Sequence, residues 1–260
     1  MEYVALGNTD LLVSRMGFGA MSLDCKEIEA FGDKADEQVC ALVRQAYEAG
    51  VNFFDTAHST PLSERRLGAA LFGIRQHVLL ATKTTARDAI SLRQELSESL
   101  SALETDTIDL YQLENPQYIP QAEGRDGLYD ELSSLKKQGR IKHFGLVTES
   151  LELAREAVES GLYETVQFSF NMISGAEALK LASLCDEKEV GCIAMQPLNG
   201  GIVKNIPLAL GFYRQYEHVV PVWGVHTTEE LKQILYFNEH PPVIDEQFKT
   251  EVKKLRDFFN

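Results

Sequence analysis

Cysteine is scarce in this chain. Cys25, Cys40, Cys185 and Cys192 are the only four, and no two of them have the two-residue separation of zinc or iron–sulfur ligand pairs. That spacing speaks against a thiolate metal site and for reduced cysteines partly in the core. Long apolar runs are missing too: no stretch reaches the roughly 18 uncharged apolar residues needed to cross a bilayer. The opening MEYVALGNTD has neither the basic nor the apolar region of a signal peptide, so a cytoplasmic protein is expected. Basic residues are in deficit, with 25 Lys and Arg against 39 Asp and Glu and a formal net charge of −14. A field of that sign repels phosphate backbones and anionic bilayers, so neither nucleic acid nor membrane is expected as a partner.

With 260 residues, 44% hydrophobic and 25% charged, the chain can bury one large core, and Met1–Asn260 reads as a single domain. Short β-rich runs alternate with amphipathic helical stretches, the rhythm of parallel strands joined by right-handed crossovers. The strands are expected at Arg15–Met21, Asn52–Asp55, Val78–Thr82, Ile108–Leu113, His143–Val147, Thr165–Ser169, Gly191–Met195 and Val219–Trp223. Most are continuous apolar runs, as strands buried on both faces require. Helices are expected at Ala35–Ala49, Ser63–Leu71, Ile90–Leu103, Gly127–Gln138, Leu151–Ser160, Ala176–Lys188 and Glu229–Phe237, where apolar residues such as Val39, Leu42, Val43 and Ala46 recur at helical spacing. The fold class is therefore α/β, a (β/α)8 TIM barrel. Tyr3–Leu6 and Leu11–Val13 flank the turn-forming Gly7-Asn8-Thr9-Asp10 and predict a β-hairpin plugging the barrel's bottom. From Asp245, the spacing of Phe248, Val252, Leu255 and Phe259 predicts a last helix packed on the outside.

In barrels of this kind the loops leaving the strand C-termini build the site. Asp55, Lys83 and Glu114 end three successive strands, so three ionisable groups are expected at equivalent depth. A buried lysine needs an anion facing it, which predicts Lys83 paired between Asp55 and Glu114. The same trio also suits a structural salt-bridge network closing the barrel top.

These segments resemble the aldo-keto reductase family. The residues that carry the resemblance are Leu11-Leu12-Val13-Ser14-Arg15-Met16-Gly17-Phe18-Gly19, Phe54-Asp55-Thr56-Ala57 with Ser63-Glu64 and Leu67-Gly68, Ala81-Thr82-Lys83-Thr84, and Asp109-Leu110-Tyr111-Gln112-Leu113. They occur in family order, each on an expected strand end. The ferredoxin-fused bacterial branch is the most similar, through the Asp55 to Ser63-Glu64 spacing and the loop Gln196-Pro197-Leu198-Asn199-Gly200-Gly201. The cysteine-rich extension of that branch is not present through Asn260, so no iron–sulfur cluster is expected.

The resemblance implies an NADPH-dependent carbonyl reductase with an Asp, Tyr, Lys and His tetrad. Asp55 and Lys83 match it, whereas Thr60 stands at the Tyr position and Glu114 at the His position. A threonine hydroxyl is a poor general acid, and losing such a group lowers rates by roughly 10²–10⁴-fold. His58 and Tyr118 are candidates for a substitute acid, and each also reads as an ordinary loop side chain. The cofactor residues implied are Gln167, Leu198, Gly224, His226, Thr227, Thr228 and Gln233. Val147 replaces a usual Ser, His226 a common Arg, and Ile234 a usual Asn. Thr227 and Thr228 can cap a helix start that attracts phosphate, while Glu229 and Glu230 oppose an extra phosphate. The cofactor the resemblance implies is NADP or NAD, with a small-molecule carbonyl substrate as partner; weak NADPH affinity is expected, which leaves NADH or no nicotinamide. Three functions follow: an oxidoreductase on a small carbonyl compound with an altered tetrad, a redox-neutral lyase or isomerase using Lys83, Glu114 or His58 for proton transfer, or a non-catalytic binding protein.

Overall fold

The computed structural model describes residues 1–259. A two-stranded antiparallel hairpin, β1 (Tyr3–Ala5) and β2 (Leu12–Ser14), precedes eight parallel strands that close on themselves. These are β3 (Gly17–Gly19), β4 (Phe53–Asp55), β5 (Leu79–Thr84), β6 (Ile108–Glu114), β7 (Ile141–Val147), β8 (Thr165–Ser169), β9 (Gly191–Met195) and β10 (Val219–Gly224), with β10 pairing back onto β3. The expected (β/α)8 barrel is the observed fold.

Its core has two parts. Inside the barrel, Phe53, Ala81, Leu110, Ile193, Val220 and Val222 pack on Leu6, Leu11 and Val13, so the hairpin closes the end where the strands begin. Gly7 permits that closure: its φ is +57° and a Cβ there would lie 2.2 Å from the Gly191 amide nitrogen. Outside, a larger apolar layer joins the strands to the helices.

Those helices are α1 (Lys26–Glu29), α2 (Ala35–Glu48), α3 (Pro61–Leu71), α4 (Ala89–Ala102), α5 (Leu128–Lys137), α6 (Leu151–Ser160), α7 (Ala176–Glu187), α8 (Ile206–Tyr213), α9 (Thr228–Glu239) and α10 (Glu246–Phe259). The seven expected crossover helices occur within a few residues of their expected bounds, as does the terminal one. Helix α8 was not expected. Ile206 and Leu208–Tyr213 are buried almost all round, because α10 lies against the helix from outside, and a helix covered on both sides shows no polar stripe to read. At the crossing, a Cβ on Gly211 would come 2.5 Å from the Phe248 ring. Strand β3 is shorter than the expected Arg15–Met21, since Ala20–Leu23 turns into a 3₁₀ segment over the barrel mouth. No helix among the described residues is long and apolar enough to cross a membrane.

Candidate active site

Asp55 closes β4 and Lys83 stands near the end of β5, 3% and 2% exposed. Lys83 Nζ donates to Asp55 Oδ2 at 2.6 Å and to the Thr56 carbonyl at 2.7 Å. An ammonium so deeply buried is tenable only with such an anion and acceptor beside it. The strand on either side of Lys83 is pinned from its outer face: Thr82 Oγ1 donates to Glu64 Oε1 at 2.7 Å and Thr84 Oγ1 to Glu95 Oε2 at 2.6 Å. Burial pushes the Glu64 carboxyl above the usual carboxylate range, against the lowering effect of its hydrogen bonds.

Above the pair lies a cavity of about 750 Å³. Asp55, Lys83, Glu114, Gln167, Leu198, Gly224, His226 and Gln233 all border it, so the barrel gathers most of the expected site residues. Thr60, Thr227 and Thr228 do not border it. Thr60 precedes α3, and its hydroxyl donates to the Ala57 carbonyl at 3.0 Å. Thr227 precedes α9, where its Oγ1 accepts the Glu230 amide at 3.2 Å. Thr228 is the first residue of that helix.

The expected pairing of Lys83 between two carboxylates is corrected by register. Lys83 is level with Gln112 on β6, which leaves Glu114 two residues nearer the rim. Among the described residues Glu114 forms no ion pair, and its Oε2 has only the Ser59 hydroxyl, at 3.4 Å. His58 and Tyr118 face elsewhere: His58 Nε2 lies 2.9 Å from Glu98 Oε2 and Tyr118 donates to Asp126 at 2.7 Å. No tyrosine borders the cavity among the described residues.

Sequence reasoning missed Gln112 as a site residue; the available signal was an uncharged polar side chain in the middle of β6, flanked by Leu110, Tyr111 and Leu113. It is fully buried and donates to Gln167 Oε1 at 3.0 Å, and Gln167 in turn donates to Asp55 Oδ2 at 3.1 Å. Glu149, Lys204 and Glu230 also border the cavity. Glu230 Oε2 accepts the His226 backbone amide at 2.8 Å and lies 3.2 Å from its Nδ1.

A closed parallel barrel with a buried ion pair under a cavity at the strand C-terminal ends is the arrangement of (β/α)8-barrel enzymes. The model of the Aldo/keto reductase family matches residues 15–208, and the chain belongs to that family. Curated relatives include L-galactose dehydrogenase of Arabidopsis thaliana, 28% identical over 78% of this chain and 67% of that protein. Another is NADH-specific methylglyoxal reductase of Escherichia coli, 26% identical over 78% of this chain and 69% of that protein. The chain thus spans about two thirds of the length of these relatives. Among solved structures, an aldo-keto reductase of Bacillus halodurans in its holo form superposes with a TM-score of 0.80 at 22% identity, covering 98% of this chain and 96% of that one.

Proposed function

We propose that this protein is a nicotinamide-dependent oxidoreductase of the cytoplasm that acts on a small carbonyl compound, with an altered tetrad and with NADH favoured over NADPH. The observation that carries this reading is the buried Asp55–Lys83 pair beneath a cavity that can hold both a nicotinamide and a small substrate.

The lining residues fit such a cofactor. A Cβ on Gly224 would meet nothing closer than Ser22 Cβ at 3.6 Å, so the backbone there is open to a ligand. Gln167, Leu198, Gly224, His226 and Gln233 are the residues that would hold the cofactor, with Thr227 and Thr228 opening α9 beside them. Bound nicotinamide supplies or accepts hydride. Lys83, with two of its N–H groups given to Asp55 and Thr56, has a third for a substrate carbonyl oxygen and stabilises the charge developing there. Glu114, at the rim and without an ion pair among the described residues, would hold or move a proton. Thr60 is bound to Ala57 and takes no part.

Preference for NADH rests on Glu230. Its carboxylate occupies the His226 amide, at the loop whose resemblance implies the site of the extra phosphate of NADPH, so that phosphate would meet a negative charge. A relative carries the name NADH-specific.

The test is oxidation of NADH with a panel of small aldehydes and ketones. Slow turnover that disappears in Lys83→Met is expected; absence of both cofactor binding and turnover would sink the reading. The lack of a phenol on the cavity among the described residues favours a second reading, a binding protein or redox-neutral lyase. Cofactor binding without any NADH oxidation would support it.

A further inference from the structure

Arg87, in the loop that leaves β5, is an exposed cation in a chain of net charge −14, yet among the described residues it forms no ion pair. Its guanidinium goes to four main-chain carbonyls instead: Nη1 donates to Thr85 and Ala86 at 2.6 and 2.9 Å, and Nη2 to Glu114 and Asn115, both at 3.0 Å. The last two lie at the end of β6, where Asn115 leaves the strand with a φ of +44°. From the neighbouring strand, the Val147 carbonyl accepts the Asn115 amide at 2.7 Å. The peptide unit between Glu114 and Asn115 is thus held at both ends, its oxygen by Arg87 and its N–H by Val147. Because that unit is planar, holding it sets the backbone from which the Glu114 side chain departs. The carboxylate is tied far more weakly, with the Ser59 hydroxyl at 3.4 Å as its one partner among the described residues. Glu114 borders the cavity, so the place of its head follows from the backbone beneath it.

We propose that Arg87 is a positioning residue: by clamping the Glu114–Asn115 peptide it sets where the Glu114 carboxylate stands at the cavity rim. This rests on the reading of Glu114 as the group that holds or moves a proton. Arg87 does not itself border the cavity, so it acts through Glu114. Proton transfer needs heavy atoms within about 2.6–3.2 Å of each other, and a carboxylate displaced by about an ångström loses rate while cofactor binding is little changed. The planar fork of arginine reaches the carbonyls of two segments at once, whereas a lysine ammonium is a single point that cannot span both pairs. Geometry is therefore what Arg87 contributes, and the same charge on lysine does not replace it.

Steady-state NADH oxidation with a small aldehyde compares Arg87→Lys, Glu114→Gln and the double variant. Each single change should lower kcat by about tenfold with KM for NADH within about twofold, and the double variant should be no slower than Glu114→Gln alone. The limb of the pH–rate profile that Glu114→Gln abolishes should also shift in Arg87→Lys. Losses that multiply in the double variant, or a parental kcat in Arg87→Lys, would overturn the proposal. If Glu114→Gln keeps the parental kcat, Glu114 handles no proton and the positioning role falls with it. A second readout needs no turnover. In the ligand-free protein the side-chain carboxyl ¹³C resonance of Glu114, recognised by its loss in Glu114→Gln, should move or broaden in Arg87→Lys. That of Glu164, which bonds His143 at the other end of the barrel, should stay and so report an intact fold. An unmoved Glu114 resonance would refute the clamp. Absence of NADH oxidation in the parent would overturn the oxidoreductase reading, while the resonance would still decide whether Arg87 places the carboxylate.

Discussion

Replacing Lys83 by Met removes the cation that faces Asp55 and leaves that carboxylate, 3% exposed, with the Gln167 amide as its remaining donor. Two hydrogen bonds vanish, at 2.6 and 2.7 Å, and the Thr56 carbonyl loses a partner. Breaking a buried pair from one side costs about 3–5 kcal/mol, most of it from the charge left behind. At about 2–4 °C for each kcal/mol in a chain of this size, the melting temperature should fall by on the order of 10 °C. The control is Asp55→Leu combined with Lys83→Met, which removes both charges and should recover most of the loss. Calorimetry at neutral pH, with urea unfolding as a second probe, compares the three proteins. If the single variant melts as high as the parent, or no lower than the double variant, Asp55 and Lys83 do not form a buried ion pair and the account of the site is wrong.

His143 at the barrel's lower end predicts a pH dependence. Hydrogen bonding to Glu164 is the largest influence raising its pKa above the usual 6.5, with Asp10 adding to it and burial opposing. A raised folded value means the stabilisation is fully present below the unfolded value and is lost as pH rises through the folded one. Glu164 is raised by burial, the largest single influence, but its hydrogen bonds from His143, Lys136 and the Phe144 amide together hold it below its usual 4.5, so it adds stability that is lost as pH falls. The deficit of His143→Gln should therefore be largest between these two values and shrink toward alkaline pH; a deficit that grows with rising pH in thermal melts would contradict the pairing. Thr60→Ala should leave NADH affinity and any turnover within about twofold, since the hydroxyl is bound to Ala57 and off the cavity. A tenfold loss in steady-state assays would return Thr60 to the site.

Much of this arrangement was legible in the sequence because it follows from local pattern. Continuous apolar runs such as Val78–Thr82 reveal doubly covered strands, and the ends of those runs place Asp55 and Lys83 at the barrel mouth. The parts that escaped depend on relations between distant segments. The depth of Glu114 is set by the register of β6 against β5, which no single strand encodes. Helix α8 lost its periodicity to a cover supplied some 40 residues later by α10. Gln112 was visible as a polar residue between Tyr111 and Leu113, but its meaning required Gln167, two strands away in the barrel. Thr60 was matched to the Tyr position by the resemblance, whereas the turn into α3 directs its hydroxyl to Ala57.

The claim on which the functional account stands is that the cavity over Asp55 and Lys83 receives a nicotinamide cofactor and that Glu230 turns away its phosphorylated form. Isothermal titration of the purified chain with NADH and then NADPH at low salt tests it directly. The account predicts saturable binding of NADH about tenfold or more tighter than that of NADPH, with the gap narrowing in Glu230→Gln. Heat-silent titrations with both, or tighter binding of NADPH, would contradict it.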